Sequence, residues 1–254
     1  NDSYLYRIGK KLERIFLREA DVIVSLSTAA VKEIKKQFLL TDKIKRIEVI
    51  PTCTDLRVFH PQVIKKKKAC KSLVVSYVGT ASGWYLFEPV LIFLKALKEL
   101  KPDVRFLILN RGEHNFIKEC LNNYAIPMKN IELKSVPHSQ VAHEIRRLDV
   151  GIFFIKPAYS KIASCATKLG EFLASGIPCI TNDGIGDHSE ILSKSDTGVI
   201  LKEFTEDEYL RAVKDLLSLL NDSGINERCR KVAEDYFSLD KGVSLYSKIY
   251  HSLI

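Results

Sequence analysis

The chain has 254 residues, of which 46% are hydrophobic, so it can bury one large core or two smaller ones. No run approaches 18 consecutive apolar residues and the N-terminus lacks the pattern of a signal peptide, which argues against a transmembrane helix and a secretory leader. The net charge of +8 suits anionic ligands, nucleic acid or an anionic membrane surface.

The spacing of the metal-ligating and nucleophilic residues argues against several kinds of site. The six cysteines are scattered without C-x-x-C spacing, which favours reduced thiols in the cytoplasm. The histidines show no H-x-x-x-H or H-E-x-x-H spacing and no D-x-D triplet occurs, so no metal site is predicted. The absence of a G-x-S-x-G elbow argues against a serine hydrolase.

The first part of the chain alternates between helical and strand patterns. It predicts a helix at 5–19, a strand at 20–26, a helix from 28 to about 38 and a strand at 47–50. The polar segment 51–72 follows, with two prolines and the run Lys65-Lys66-Lys67-Lys68, and is the candidate domain boundary. We interpret the lysines as a solvated linker, with a membrane or nucleic-acid patch as the alternative.

From residue 73 the alternation becomes regular. The predicted strands are 73–78, 104–109, 131–136, 150–155, 178–181 and 198–201, and the predicted helices are about 86–100, 113–124, 138–147, 167–174, 187–193 and 205–220. Apolar strands alternating with amphipathic helices indicate an α/β fold, a Rossmann-like parallel sheet with helices on both faces. Ligands of such sheets bind at the carboxyl ends of the strands.

The loop after the first regular strand is glycine-rich. Small residues at 79–83, including Gly79 and Thr80, let backbone N–H groups approach an anion. The alternative is a turn that needs glycine only for its geometry. The neighbouring Trp84 and Tyr85 are predicted to pack rather than to stack on a ligand.

Other candidate residues follow the later strands. Arg111 suits a phosphate or is an ordinary surface charge, and the backbone of Val136 can bind a base edge. His138 is predicted to begin a helix rather than to act as a catalyst. Lys156 and Lys161 suit a diphosphate or belong to a mobile loop.

The segment 166–180 gives the strongest functional signal. It predicts a helix whose first turn carries Thr167 and Lys168, followed one turn later by Glu171. A helix N-terminus attracts phosphate, and a carboxylate accepts hydrogen bonds from sugar hydroxyls. Phosphate beside ribose indicates a nucleotide site.

Four segments, in chain order, resemble the nucleotide-sugar glycosyltransferases of the two-domain GT-B type, specifically the family 4-like group. Ala20-Asp-Val-Ile-Val-Ser-Leu-Ser27 is similar to the strand that ends the N-terminal domain, and 49–61 is similar to the interdomain segment. Val78-Gly79-Thr80 is similar to the opening of the donor domain. Residues 166–178 resemble the "PTKL-x-EYLA-x-GIPV" element.

The resemblance implies a set of donor contacts. Glu171 would hold the ribose hydroxyls, and Thr167, Lys168 and Leu169 would face the diphosphate. The segment at Val136 would hold the base. Gly79 and Thr80, named above, would lie near the phosphates or the transferred sugar.

The chain also departs from the family pattern. Ala163 stands where many relatives have a first glutamate, and Ser82, Trp84 and Tyr85 stand where many have an arginine and a lysine. We therefore keep a second hypothesis, a non-catalytic binding or regulatory module that has lost donor binding. A sugar-nucleotide epimerase is a third and weaker reading.

By resemblance, this is the C-terminal portion of a retaining hexosyltransferase-like enzyme in polysaccharide or glycoconjugate synthesis. It would use a nucleotide-sugar donor, a glycan or lipid-linked acceptor and no separate cofactor, would bind no nucleic acid, and would be inactive without its N-terminal domain. The expected location is cytoplasmic, with peripheral contact at the inner membrane face left open. The expected division is 1–60 for the end of the first domain, 61–230 for the donor domain and 231–254 for the returning helices.

Overall fold

The computed structural model describes residues 3–38, 46–61 and 72–254. The lysine run at 65–68, predicted as a solvated linker, lies outside these residues, as does much of the predicted boundary segment. The part that the structure describes contains no helix long and apolar enough to cross a bilayer.

The N-terminal elements contain a pair of parallel strands and two helices. They are α1 (Tyr4–Glu19), β1 (Ile23–Ser25), α2 (Thr28–Phe38) and β2 (Ile47–Val49). The Ser27 hydroxyl accepts the backbone N–H of Ala30 at 3.1 Å and so caps α2. All four predicted elements are confirmed, with β1 shorter than the predicted 20–26.

A six-stranded sheet forms the larger part of the molecule. Its strands are β3 (Val74–Val78), β4 (Arg105–Leu109), β5 (Ile131–Lys134), β6 (Val150–Ile152), β7 (Cys179–Asn182) and β8 (Gly198–Leu201), in the order β5-β4-β3-β6-β7-β8 and all parallel. The flanking helices are α3 (Phe87–Leu100), α4 (His114–Asn123), α5 (His138–Ile145), α6 (Thr167–Ala174), α7 (His188–Ser195) and α8 (Glu206–Leu220). The order reverses between β3 and β6, as in doubly wound nucleotide-binding sheets, so the predicted fold is confirmed.

Three elements escaped the sequence analysis. They are α9 (Ile225–Tyr236) and two short 3-10 helices, Met128–Asn130 and Tyr159–Ala163. The chain then ends in α10 (Leu239–His251). Residue 230, the boundary expected between the donor domain and the returning helices, lies within α9, and α9 packs against α6.

Glycine at position 151 allows α6 to lie close to the sheet. A Cβ atom there would come within 2.5 Å of the Phe172 ring on α6. Phe172 is itself fully buried, so the ring cannot turn away. The close approach fixes how α6 lies over β6.

Gly151→Ala is therefore expected to destabilise the protein by about 1–3 kcal/mol, the usual penalty for overpacking a core. Chemical denaturation measures the free energy of unfolding. Gly112→Ala is the control, because a Cβ there meets no atom of the described part of the chain within 4 Å. Equal stabilities of the two variants would contradict this account of the α6 position.

The N-terminal elements contact the sheet domain through backbone and side-chain hydrogen bonds. The Asp187 carboxylate accepts the N–H groups of Thr28 at 2.6 Å and Ala29 at 2.9 Å, at the start of α2. The N–H of Thr54 donates to the carbonyl of Phe237 at 2.7 Å. A carboxylate at a helix N-terminus is favourable, so Asp187 fastens α2 to the sheet domain.

Candidate functional site

A cleft of about 390 Å³ opens at the carboxyl ends of β3, β4 and β5. This is the edge at which ligands bind in such sheets. Five of the predicted site residues line it: Gly79, Thr80, Arg111, Val136 and Glu171. The structure thus brings together residues from three strand ends and α6.

Lys168 lies beside this cleft with a buried and unpaired ammonium group. The residue is 8% exposed, and its Nζ has no hydrogen-bond partner among the residues that the structure describes. Nζ lies 3.7 Å from the ring centroid of Tyr85, with Tyr77 at 5.2 Å and Phe153 at 5.5 Å. Burial lowers the pKa of Lys168 to about 7, against the opposing attraction of Glu171. Aromatic faces only partly replace the hydrogen bonds of water, so this cation lacks a strong partner.

Gly79 is the backbone neighbour of that ammonium group. Its φ of +113° favours glycine, and a Cβ there would lie 3.0 Å from Lys168 Nζ. The predicted glycine-rich loop and the predicted helix start therefore meet at one point. That point borders the cleft, because Gly79 belongs to its lining.

Glu171 lines the cleft one turn after Lys168. Burial raises the pKa of its carboxyl, while the charges of His138 and Lys168 lower it. His138 begins α5, as the sequence predicts, and its side chain also lines the cleft. The cleft therefore offers a carboxylate as hydrogen-bond acceptor near a histidine.

The other predicted site residues lie outside the lining of the cleft. Thr167 is exposed at the start of α6, and Lys156 is exposed after β6. Leu169 is 0% exposed in the core, and its N–H donates to the carbonyl of Ala166 at 3.0 Å. The side chain of Leu169 thus helps to hold α6 in place and does not face the cleft.

Two residues that the sequence analysis missed shape the cleft from the β4 side. Asn110, 3% exposed, donates to the carbonyl of Gly79 at 3.0 Å and to the Glu113 carboxylate at 2.7 Å. Its Oδ1 accepts the N–H groups of Gly112 at 3.1 Å and Glu113 at 2.7 Å. The signal was present, because asparagine after a strand typically bonds the backbone two residues on.

The Glu113 carboxylate already fills the anion position in the glycine-rich loop. It accepts the N–H of Ala81 at 2.7 Å and the hydroxyl of Ser82. Burial raises the pKa of Glu113, but the hydrogen bonds from Ser82, Ala81 and Asn110 outweigh it and the pKa is lowered. Of the glycine-rich loop, Gly79 and Thr80 line the cleft, whereas Ala81 is only 1% exposed.

His188 holds the chain just before α6. Its Nε2 accepts the N–H of Ala166 at 3.1 Å, which assigns the ring proton to Nδ1. The ring is 1% exposed and meets Phe153 edge-on. Burial lowers the pKa of His188 to about 4.

His188 is expected to make the protein less stable in mild acid. Below pH 6.5 the His188 ring is protonated in the unfolded chain but stays neutral in the folded protein. The free energy of unfolding therefore falls as the pH is lowered from 6.5 to about 4. The expected loss is about 3 kcal/mol over that interval. Urea denaturation at pH 6.5 and 4.5 should show a smaller loss for His188→Gln than for the unchanged protein. His251→Gln, at an exposed position, should keep the full loss.

Comparisons with known proteins bear on both the fold and the family. The family described as glycosyl transferases group 1 matches residues 61–235. A curated relative, Glucosyltransferase 3 of Streptococcus parasanguinis, is 30% identical over a stretch that covers 43% of this chain and 39% of that protein.

Solved structures share the fold at low identity. Sucrose-phosphate synthase from Thermosynechococcus elongatus matches with a TM-score of 0.69 and 15% identity, over 100% of this chain and 64% of that one. A glycosyltransferase from Rickettsia africae matches with a TM-score of 0.71 and 16% identity, over 95% of this chain and 66% of that one. The pneumococcal O-GlcNAc transferase GtfA, in complex with UDP and GlcNAc, matches with a TM-score of 0.69 and 16% identity, over 100% of this chain and 48% of that one. The chain thus spans about two fifths of the curated relative and one half to two thirds of these structures.

Proposed function

The chain belongs to the glycosyl transferases group 1 family, and from that membership we propose that it binds the nucleoside-diphosphate sugar donor of a glycosyltransferase. The observation that carries the proposal is the unpaired, buried ammonium group of Lys168 beside an open cleft. A diphosphate is the partner that this cation lacks. The presence of UDP in the related GtfA structure supports the same ligand class.

The donor would lie along the carboxyl edge of the sheet. We propose that the base meets the backbone of Val136 after β5 and that the ribose hydroxyls meet Glu171. The diphosphate would then lie against Gly79, within reach of Lys168. This order follows the sequence of strands from β5 through β4 to β3.

Lys168 would also act in the chemical step. Negative charge grows on the nucleoside diphosphate as it leaves the sugar, and a cation held in a dry site stabilises that charge strongly. The N-terminus of α6 adds a partial positive charge from the backbone. We propose that these two groups replace a metal ion, and that the sugar keeps its anomeric configuration.

The larger part of the acceptor side of the enzyme would come from the rest of the protein. Parallel sheets are normally covered on both faces, whereas β1 and β2 form a parallel pair that is only partly buried. The large hydrophobic side chains that α1 exposes are Tyr4, Leu5, Tyr6, Ile8, Leu12, Ile15 and Phe16. We propose that further strands and helices of the first domain cover this surface and that the chain alone does not transfer sugar.

The proposal also covers the cellular location of the enzyme, its acceptor and its contact with a membrane. We propose a cytoplasmic enzyme that acts on a glycan or lipid-linked acceptor in polysaccharide or glycoconjugate synthesis. The basic side chains of α1 support peripheral contact with an anionic membrane face: they are Arg7, Lys10, Lys11, Arg14 and Arg18. Binding of this chain to vesicles with and without anionic lipid, at low and high salt, tests that contact.

A non-catalytic module on the same scaffold is the second candidate. The specific observation in its favour is Glu113, which satisfies donors of the glycine-rich loop that a phosphate would otherwise use. The exposed Ala163, in place of a glutamate, points the same way. Nucleotide binding separates the two candidates.

Calorimetry with UDP, GDP and ADP tests the proposed donor site. Glu171→Ala is expected to weaken binding of the preferred nucleotide about 10-fold or more, because a charged hydrogen-bond acceptor for the ribose is lost. Glu203→Ala is the control at an exposed position. If none of the three nucleotides binds at millimolar concentration, the donor proposal is wrong and the second candidate stands.

A further inference from the structure

An exposed tryptophan with a lysine over its ring lies next to the proposed donor site. Trp84 is the only tryptophan of the chain and is 51% exposed, although the sequence predicts that it packs. The Nζ of Lys161 lies 4.1 Å from the ring centroid. Resting on the proposed function, we propose that Trp84 and Lys161 form an acceptor subsite for a sugar that carries a negative charge.

The backbone that carries Trp84 is held firmly in place. The carbonyl of Trp84 accepts the N–H of Lys156 at 2.8 Å, and the N–H of Leu86 donates to Phe154 at 2.9 Å. Tyr85 forms an antiparallel bridge with Ile155 between these two bonds. The segment is thus fastened to the chain that follows β6, and the exposed ring is presented from a fixed position. A binding platform needs this kind of support.

The position of Trp84 matches the place where an acceptor must arrive. Its neighbour Tyr85 lies over the ammonium group of Lys168, so Trp84 is one residue from the proposed diphosphate position. The base position at Val136 lies on the other side, at the β5 end of the cleft. A donor in this orientation carries its sugar away from Val136, towards the β3 and β6 ends.

The lysine comes from a segment that meets the N-terminal elements. Lys161 belongs to the 3-10 helix Tyr159–Ala163, whose Tyr159 hydroxyl donates to Glu33 of α2 at 3.0 Å. The Trp84–Lys161 pair therefore lies between the donor cleft and the N-terminal elements. An acceptor that enters between the two parts of the enzyme passes this point.

The chemistry of the pair selects an anionic sugar. The negative face of an indole ring attracts the partly positive C–H groups on one face of a sugar ring. Among the described residues, the Lys161 ammonium group forms no ion pair with a carboxylate, and its contact is with the Trp84 ring. A carboxylate or a phosphate on the sugar would pair with it. A uronic acid or a sugar phosphate has both features, whereas a neutral hexose has only the first.

The single tryptophan makes a direct test possible. We expect glucuronate and glucose 6-phosphate, added to the 15N-labelled chain, to shift the one indole N–H signal at about 1–20 mM, a weak affinity that suits a single ring. Glucose should need an about fivefold higher concentration to give the same shift, since it lacks the charge. Lys161→Met should abolish the preference for the anionic sugars, and Lys156→Met should leave it unchanged. Comparison of glucuronate with glucose 6-phosphate identifies the preferred charged group.

Three results would overturn the inference: no indole shift with either anionic sugar, equal shifts with glucose, or an unchanged preference in Lys161→Met. The donor proposal is tested independently of the subsite. If UDP does not bind but glucuronate shifts the indole signal through Lys161, the subsite stands as an anionic-sugar site without the donor site. If UDP binds and the anionic sugars do not, only the subsite is wrong.

Discussion

Lys168→Met is expected to weaken binding of the preferred nucleotide about 100-fold while it makes the protein more stable. Methionine is close to lysine in length and fills the space among Tyr77, Tyr85 and Phe153 without a charge. The lost interaction is a charge-assisted contact in a dry site, worth about 3 kcal/mol. Calorimetry measures the affinity, and chemical denaturation measures the free energy of unfolding.

The expected gain in stability follows from the burial of an unpaired cation. Replacing buried charged groups by apolar ones of similar volume stabilises proteins by about 1–4 kcal/mol. The gain should be largest below pH 7, where Lys168 is charged in the folded state, and should shrink as the pH rises towards 10.5, where the lysine of the unfolded chain also loses its proton. A lysine with only a structural function would give the opposite sign, a loss of stability on substitution.

Lys156→Met is the matched control. The sequence also predicted Lys156 as a phosphate ligand, but the structure places it exposed and outside the lining of the cleft. We expect its nucleotide affinity to change by less than about threefold, since exposed charges interact weakly. If Lys156→Met weakened binding more than Lys168→Met, the assignment of the diphosphate position would be wrong.

The second large effect concerns the asparagine that joins β4 to the glycine-rich loop. Asn110→Asp is expected to destabilise the protein by about 3–5 kcal/mol at neutral pH, the usual result of an uncompensated buried charge. The change removes the two donated hydrogen bonds to Gly79 and Glu113 and sets a second carboxylate against that of Glu113. Chemical denaturation at pH 7 and 5 measures it, and part of the loss should be recovered at pH 5, where one carboxyl of such a pair protonates readily.

Asn122→Asp adds the same charge at an exposed position and should change stability by less than about 0.5 kcal/mol. Asn110→Asp should also weaken nucleotide binding in the fraction that stays folded, because Gly79 loses its anchor. A fully stable Asn110→Asp variant would show that the loop does not depend on these hydrogen bonds.

Most of the fold could be predicted from the sequence because its strands are short apolar runs between amphipathic helices. The limits of α6 were predicted at 167–174 and confirmed. The helix α9 was missed because its sequence is rich in charged residues, and its buried face, with Ile225, Cys229 and Val232, is narrow. Periodicity gives a weak signal for such a helix.

The candidate site was only partly predictable. Lys168 and Glu171 were identified because their positions in α6 are local information. The burial of Lys168 depends on Tyr77 and Tyr85, which are more than 80 positions earlier in the chain. In the same way, His188 and Ala166 meet only through the fold. Contacts of this kind cannot be derived from spacing along one sequence, which is why their energetic effects were not foreseen.

Proton uptake on nucleotide binding tests the central claim most directly. At pH 8 the free Lys168, with its pKa near 7, is mostly neutral, and a bound diphosphate would draw a proton onto it. Calorimetry of UDP, GDP or ADP in buffers of different ionisation enthalpy counts that proton. We expect uptake of about one proton by the unchanged protein and none by Lys168→Met. Tight nucleotide binding at pH 8 without proton uptake would contradict the account, because Lys168 would then not be the group that meets the diphosphate.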